Sequence, residues 1–388
     1  MNRGRWVVSV LLAASVAATA APAAAAPYRP ANGGEVLEQL PERSSPALAD
    51  LKMRRVLLAR LPDDERVATR FARQAITAAR TTGDPRYLGQ AQAALGPWWA
   101  AASPPAEILL LRATIRQSRH DFAAALSDLD RLLAGAPDHA QARLTRATVR
   151  AARGHYADAQ ADCGRLVGRV DELVVATCAA AAAGPEADPA GYHRLAAALA
   201  ASPASGALRA WAQTLAGELA ARGGEGRAAE DHFRAALAQE PGDAYAKGAF
   251  ADFLLDAGRH AEVVALLDGD TRNDALLLRL AQAEKALSAT SERFRLHAGW
   301  LADRFAAARR RGDDVHLREE ARYALAIEGD ARRAVLLARR NFELQREATD
   351  VQLLLAAGAA AGDAGARDLA ANWIRAHQPP PARKGGAL

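Results

Sequence analysis

Aromatic residues make up only 5% of this 388-residue chain, whereas alanine fills about a quarter of it. Alanine is the best helix former, and strands favour the aromatic and β-branched residues that are scarce here. A sandwich, a barrel and a doubly wound sheet are therefore excluded, and the expectation is an all-α fold. Cysteine occurs only at Cys163 and Cys178, so no thiol near the N-terminus is available for lipid attachment. Beyond the first 26 residues no apolar run reaches the ~20 residues of a spanning helix; the alanine runs at 179–183 and 356–361 are soon interrupted by Gly, Asp or Pro. Neither charge sign dominates, with Lys+Arg 50 against Asp+Glu 45, and 18 prolines are too few for a largely disordered chain.

The first 26 residues read differently from the rest. Arg3 and Arg5 form a short basic stretch, Trp6 to Ala20 an apolar one, and the segment closes on small residues, which are the three parts of a secretory signal peptide. About 15 apolar residues fall short of a membrane anchor. Gly4 separates the two arginines, so the paired-arginine export signal is absent. We expect cleavage after Ala25 and an exported protein, periplasmic rather than released to the medium, with no stable membrane span. Without Arg3 and Arg5 the formal charge falls from +5 to +3.

Shifted by 34 residues, the chain matches itself. Arg112-Ala113, His120-Asp121-Phe122, Ala125 and Leu129 recur as Arg146-Ala147, His155-Tyr156, Ala159 and Cys163; Trp211, Gly224 and Ala229 recur as Tyr245, Gly258 and Val263. Each unit holds two apolar helical patterns around a turn. In the clearest, Ile108, Leu109, Leu111 and Ile115 precede Arg119-His120-Asp121, and Phe122, Ala125, Leu126, Leu129, Leu132 and Leu133 follow it, before Pro137. Small residues at Ala113, Ala125, Ala147, Ala159, Gly217 and Ala229 fall where the two helices of a hairpin must approach closely.

This pattern resembles the tetratricopeptide repeat, a 34-residue helix-turn-helix. The resemblance implies a right-handed superhelical solenoid of antiparallel helix hairpins, roughly nine or ten, each covering the apolar face of its neighbour. The expected organisation is a signal peptide at 1–26, an N-terminal extension and first helix at 27–65, and tetratricopeptide-like repeats at 66–273. An irregular, out-of-phase helical segment follows at 274–325, then degenerate repeats at 326–376 and a disordered tail at 377–388.

Motifs that carry chemistry are missing. There is no H-E-x-x-H, no Cys/His cluster of zinc spacing and no phosphate-binding loop. Ser205-Gly206 lacks the preceding Gly of a nucleophile elbow, and Gly223-Gly224-Glu225-Gly226 falls at a hairpin turn. His316 with Glu319 and Glu320 reads as an exposed salt link on a helix. Asp63-Asp64 and Asp313-Asp314 read as helix caps, Trp98-Trp99 as core, and Arg332-Arg333 with Arg339-Arg340 as a solvated face. We expect no enzyme, no cofactor and no metal. Most arginines alternate with Asp or Glu rather than forming a stripe, so nucleic acid is not an expected partner.

Two further expectations rest on the resemblance. Cys163 falls on the second helix of one unit and Cys178 on the first helix of the next, which pack together in that arrangement, so a disulfide is expected, with two separately buried thiols as the alternative. The exposed side of each first helix lines the concave surface of tetratricopeptide proteins. By repeat phase that surface carries Thr114, Gln117, Ser118, Thr148, Trp211, Thr214, Glu218, Arg222, Tyr245, Asp252 and Asp256. Trp211 and Tyr245 either pair as a peptide anchor or pack between helices. The expected function is a non-catalytic protein-binding scaffold or adaptor in the cell envelope, presenting its groove to a peptide or helix. Two alternatives stand beside it: an envelope hydrolase using carboxylates of 274–325, and a structural protein that holds an oligomer together through an apolar patch on its end hairpins.

Overall fold

The structure, a computed structural model, describes residues 46–312 and 315–377. The signal peptide, residues 27–45 of the extension, the Asp313-Asp314 cap and all but the first residue of the expected tail lie outside the described residues. Among the described residues there are twenty α-helices, one π-helical stretch and no strand.

Helix α1 (Pro46–Arg60) leads into nine hairpins. The first joins α2 (Glu65–Thr82) to α3 (Arg86–Ala94) and the short α4 (Gly96–Trp99). Then come α5 (Ala106–Ser118) with α6 (Phe122–Gly135), α7 (Ala140–Ala152) with α8 (Tyr156–Gly164), and α9 (Glu172–Ala181) with α10 (Pro189–Ala201). The middle of the stack is α11 (Gly206–Arg222) with α12 (Gly226–Gln239), α13 (Ala244–Asp256) with α14 (His260–Leu267), and α15 (Asp274–Leu287) with α16 (Glu292–Arg310). It ends with α17 (Leu317–Tyr323), prolonged by the π-helical Ala324–Glu328, paired to α18 (Ala331–Leu344), and α19 (Ala348–Ala361) paired to α20 (Ala364–Ala376). The stack thus runs through 274–325, where an irregular segment was expected. Helix α16 has 19 residues where α12 has 14, and this extra length, not a break, throws the later repeats out of phase. The last two hairpins start at Leu317, ahead of the expected boundary at 326.

Each first helix is apolar on two faces because it serves two hairpins. On α5, Leu109, Leu110 and Ala113 join Phe122, Ala125 and Leu129 of α6, while Ile108, Leu111 and Ile115 pack on Phe71, Ala75 and Leu95 of the preceding hairpin. The alanines at the helix contacts are buried, and at Gly217 an added Cβ would lie 2.7 Å from Phe233 Cε1, so α11 and α12 meet at a distance that only glycine permits. The turns keep the period as well: Gly154, Gly224 and Gly258 are left-handed, with φ of 77°, 82° and 69°, and His120 takes the same position at φ 59°.

Two successive repeats bury the same ion cluster, which the sequence pattern alone does not reveal. Arg112 and Asp128 are 3% and 2% exposed. Arg112 Nε donates to Asp128 Oδ2 at 2.8 Å and Nη2 to Oδ1 at 2.7 Å, while its Nη1 donates to the carbonyls of Trp99 and Ala101. Arg116 adds a third contact to Asp128 at 2.7 Å. One period on, Arg146 and Arg150 hold Asp162 in the same way, joined by Arg143.

Hairpins some 190 residues apart also touch, so successive turns of the solenoid form a seam. The Arg346 amide donates to the Ala152 carbonyl at 2.7 Å, Arg153 donates to the Leu344 carbonyl, and the Tyr156 hydroxyl donates to the Arg346 carbonyl. The Arg346 guanidinium lies over the rings of Phe342 and Trp373, at 5.2 and 4.8 Å from their centroids. Glycine sits at two crossings: a Cβ on Gly154 would meet Trp373 at 2.4 Å, and one on Gly83 would meet Asn273 at 2.2 Å. Burial pushes the Tyr156 hydroxyl up to about 12. A raised pKa on a group that is neutral when protonated means that its contribution is complete below the ordinary value near 10 and is lost as the pH rises through about 12. Phenolate difference absorbance between the wild type and Tyr156→Phe should therefore show one phenol titrating near pH 12, with the seam opening in the same range. A difference centred near pH 10 would place Tyr156 in solvent.

Candidate functional site: the inner wall of first helices

The first helices of neighbouring hairpins contact one another in series, α5 to α7, α9, α11, α13, α15, α17 and α19, and so form one continuous wall. Its register follows from the repeat. Trp211, Tyr245 and Arg279 share one phase, and Glu218 and Asp252 share another.

The expected wall residues divide into two groups. Thr114, Thr148 and Thr214 turn their hydroxyls back onto the carbonyls of Leu110, Leu144 and Ala210, at 2.9, 3.0 and 2.9 Å, and Gln117 is half-buried. Trp211 packs against the core of the α9–α11 region and, with Leu144, Thr148 and Cys178, borders a small cavity. It therefore serves packing, whereas Tyr245 does not: its ring is 54% exposed and its hydroxyl donates to Glu218 Oε1 at 2.7 Å. Burial pushes both the Tyr245 hydroxyl and the Glu218 carboxyl above their ordinary values. Arg222 offsets part of the shift on Glu218, and its Nε is buried with no hydrogen-bond partner among the described residues.

Further along the wall the charges are paired. Asp252 accepts from Arg279 Nε at 2.9 Å and from Arg322 at 2.6 Å. Burial pushes Asp252 up, but the two arginines more than offset this and hold it below the usual carboxylate range. Asp256 is pushed up by burial and by Asp252. Arg318 spans Asp350, Nε to Oδ1 at 2.6 Å, and Glu347, and these acids raise it well above its ordinary value despite burial. Sequence reasoning missed Arg279, Arg318, Arg322, Glu347 and Asp350. Arg279 was within reach, since it lies one period after Tyr245; the others sit beyond the point where the 34-residue phase slips.

The remaining candidates resolve into structure. Asp64 caps α2 by accepting from the Val67 amide at 3.0 Å. Glu320 is not an exposed helix partner of His316; it is buried and held by Arg309 and Arg333. Arg333 and Arg339 are likewise engaged, by Glu320 with Glu328 and by Asp363. Trp98 and Trp99 pack half-buried on the first hairpin's core. Cys163 and Cys178 are joined as a disulfide, with a Cα separation of 5.6 Å. Among the described residues no group of His, Cys, Asp and Glu is arranged to hold a metal ion, and no helix is long and apolar enough to cross a membrane.

No family model matches the sequence, and no curated protein matches it. Among solved structures, the human IFIT1 dimer with m7Gppp-AAAA aligns over 85% of this chain and 86% of its own, at 11% identity and a TM-score of 0.44. The Cut9–Hcn1 hetero-tetramer of the APC/C aligns over 84% and 78%, at 13% identity and 0.39. A tetratricopeptide repeat protein from Parabacteroides merdae aligns over 80% and 92%, at 14% identity and 0.27.

Proposed function

We propose that the chain is a non-catalytic protein-binding scaffold or adaptor of the cell envelope whose inner wall receives an extended peptide or a helix of a protein partner. The observation that carries this reading is Tyr245: a 54% exposed aromatic on the inner wall, its polar end held by Glu218 with Arg222 beside it. A rigid ring with a hydrogen-bonding tip is a common anchor for a partner chain. The two buried acids of 274–325 support binding over hydrolysis, because each is held by basic side chains: Glu284 by His297 and Arg293, and Glu320 by Arg309 and Arg333. Arg279, Arg318 and Arg322 on the wall are held by Asp252, Glu347 and Asp350 and so are not free to meet a polyanionic partner such as nucleic acid. The leader sequence and the Cys163–Cys178 bridge support an oxidising compartment, the periplasm.

The test is a photo-crosslinking side chain placed at position 245 and, as a control, at position 369 on α20, in intact cells. A discrete protein adduct from position 245 alone, recovered from the envelope fraction, is the expected result. Tyr245→Ala combined with Glu218→Gln should lower capture of that partner about ten-fold or more. Unchanged capture, or equal adducts from both positions, would remove the groove from the account.

A further inference from the structure

Helix α1 is apolar on two sides, but only one is covered. Leu51 is buried and Leu58 half-buried against the core that contains Phe71 and Ala75 of α2. On the other side Met53, Val56 and Leu57 form one stripe and are 68%, 57% and 45% exposed, with Leu61 just past the helix end also exposed. A helix apolar on both faces is suited to burial on both.

Charge indicates what would cover the outer stripe. Lys52, Arg55 and Arg60 are exposed around it and have no carboxylate partner among the described residues. The one acid within α1, Asp50, is already held by Arg54 at 2.9 Å and Gln74 at 2.7 Å. Asp63, Asp64 and Glu65 follow beyond Pro62, at the hairpin's end, where Asp64 is occupied in capping α2.

We propose that the outer face of α1 docks on the surface of an anionic bilayer. Met53, Val56 and Leu57 enter the boundary of the acyl region, while Lys52, Arg55 and Arg60 meet the headgroups. Long basic side chains with apolar stems suit that depth. A second copy of this chain fits the face less well, because α1 against α1 would align uncompensated positive charge. A row of three aliphatic side chains along one exposed helix face also suits a fluid surface better than a shaped protein site. The inference is independent of the inner wall, which lies on the first helices of the hairpins.

The chain from Ala26 onward is tested by co-sedimentation with vesicles of phosphatidylcholine alone and of phosphatidylcholine mixed with phosphatidylglycerol. Binding to the anionic vesicles should exceed binding to the neutral ones by about ten-fold or more and should weaken with salt. A triple variant, Met53→Glu with Val56→Glu and Leu57→Glu, and a second, Lys52→Glu with Arg55→Glu and Arg60→Glu, should each abolish the difference while leaving the melting temperature unchanged. In case a triple variant folds poorly, Met53→Cys carrying an environment-sensitive fluorophore gives a separate readout, with a blue shift on anionic vesicles only. Equal binding to both vesicle types, no binding, or no spectral shift overturns the proposal. So does a particle of twice the monomer mass in light scattering that the apolar triple variant returns to monomer, which would assign the face to a second copy. Competition by an acidic polypeptide without loss of the apolar dependence would assign it to an acidic protein instead.

Discussion

Replacing Asp128 by alanine is expected to destabilise the chain by about 3–5 kcal/mol, the cost of leaving a buried charge without its counter-ion. Arg112 is 3% exposed and would keep only its backbone acceptors at Trp98, Trp99 and Ala101, which cannot neutralise a guanidinium. Arg116 would lose its carboxylate as well. Because contacts in a stacked array run mainly between neighbours, the loss should be concentrated in α5, α6 and the adjoining hairpins, where amide hydrogen exchange should quicken first. Replacing both partners, Arg112→Leu with Asp128→Leu, should cost less than Asp128→Ala alone, since no charge is then left stranded. Urea denaturation of the three proteins measures this ordering. A loss below about 1 kcal/mol for Asp128→Ala would mean that the cluster behaves as an exposed pair. Asp162→Ala should cost less than Asp128→Ala, because Arg146 is only partly buried and keeps Asp130 as a partner.

Converting Cys163 and Cys178 to serine should cost about 3 kcal/mol by the chain-entropy estimate for the 15-residue separation the bridge spans. The bridge ties α8 of one hairpin to α9 of the next. Its surroundings are Ala147, Ala151, Ala159, Leu166, Val175 and Ala182, mostly side chains with little apolar area to bury. Losing the covalent tie there should therefore loosen the junction between the α7–α8 and α9–α10 hairpins more than a comparable loss in the leucine-rich core around α15. The measurement is the denaturation midpoint of the double variant, together with thiol-reagent uptake by unfolded, non-reduced wild type. Uptake at both positions would show two separate thiols.

The two clusters and the bridge differ in how far they were legible beforehand. The repeat placed Cys163 and Cys178 on helices that pack together, but only the structure decided between a bridge and two separate thiols. Arg112 and Arg146 were visible as a repeated pair, but a sequence records neither the full burial of Arg112 and partial burial of Arg146 nor the reach of Asp128 and Asp162 from the facing helix. Tyr245 and Trp211 show the same limit: equal phase, different environments, because Trp211 packs on the core of the α9–α11 region while Tyr245 is half exposed. The segment 274–325 misled because a longer α16 shifts the phase without breaking the stack.

The sequence by itself determined the all-α class, the hairpin as the repeated unit and the small residues at its contacts. Those follow from local propensity and from a period that the chain writes many times over. Only the tertiary structure decided which arginines are buried, which wall residues pair, and that Gly154 meets Trp373 and Arg346 meets Ala152. Contacts across 190 residues depend on the small rotation that each hairpin adds to the last, and side-chain packing at every interface sets that rotation.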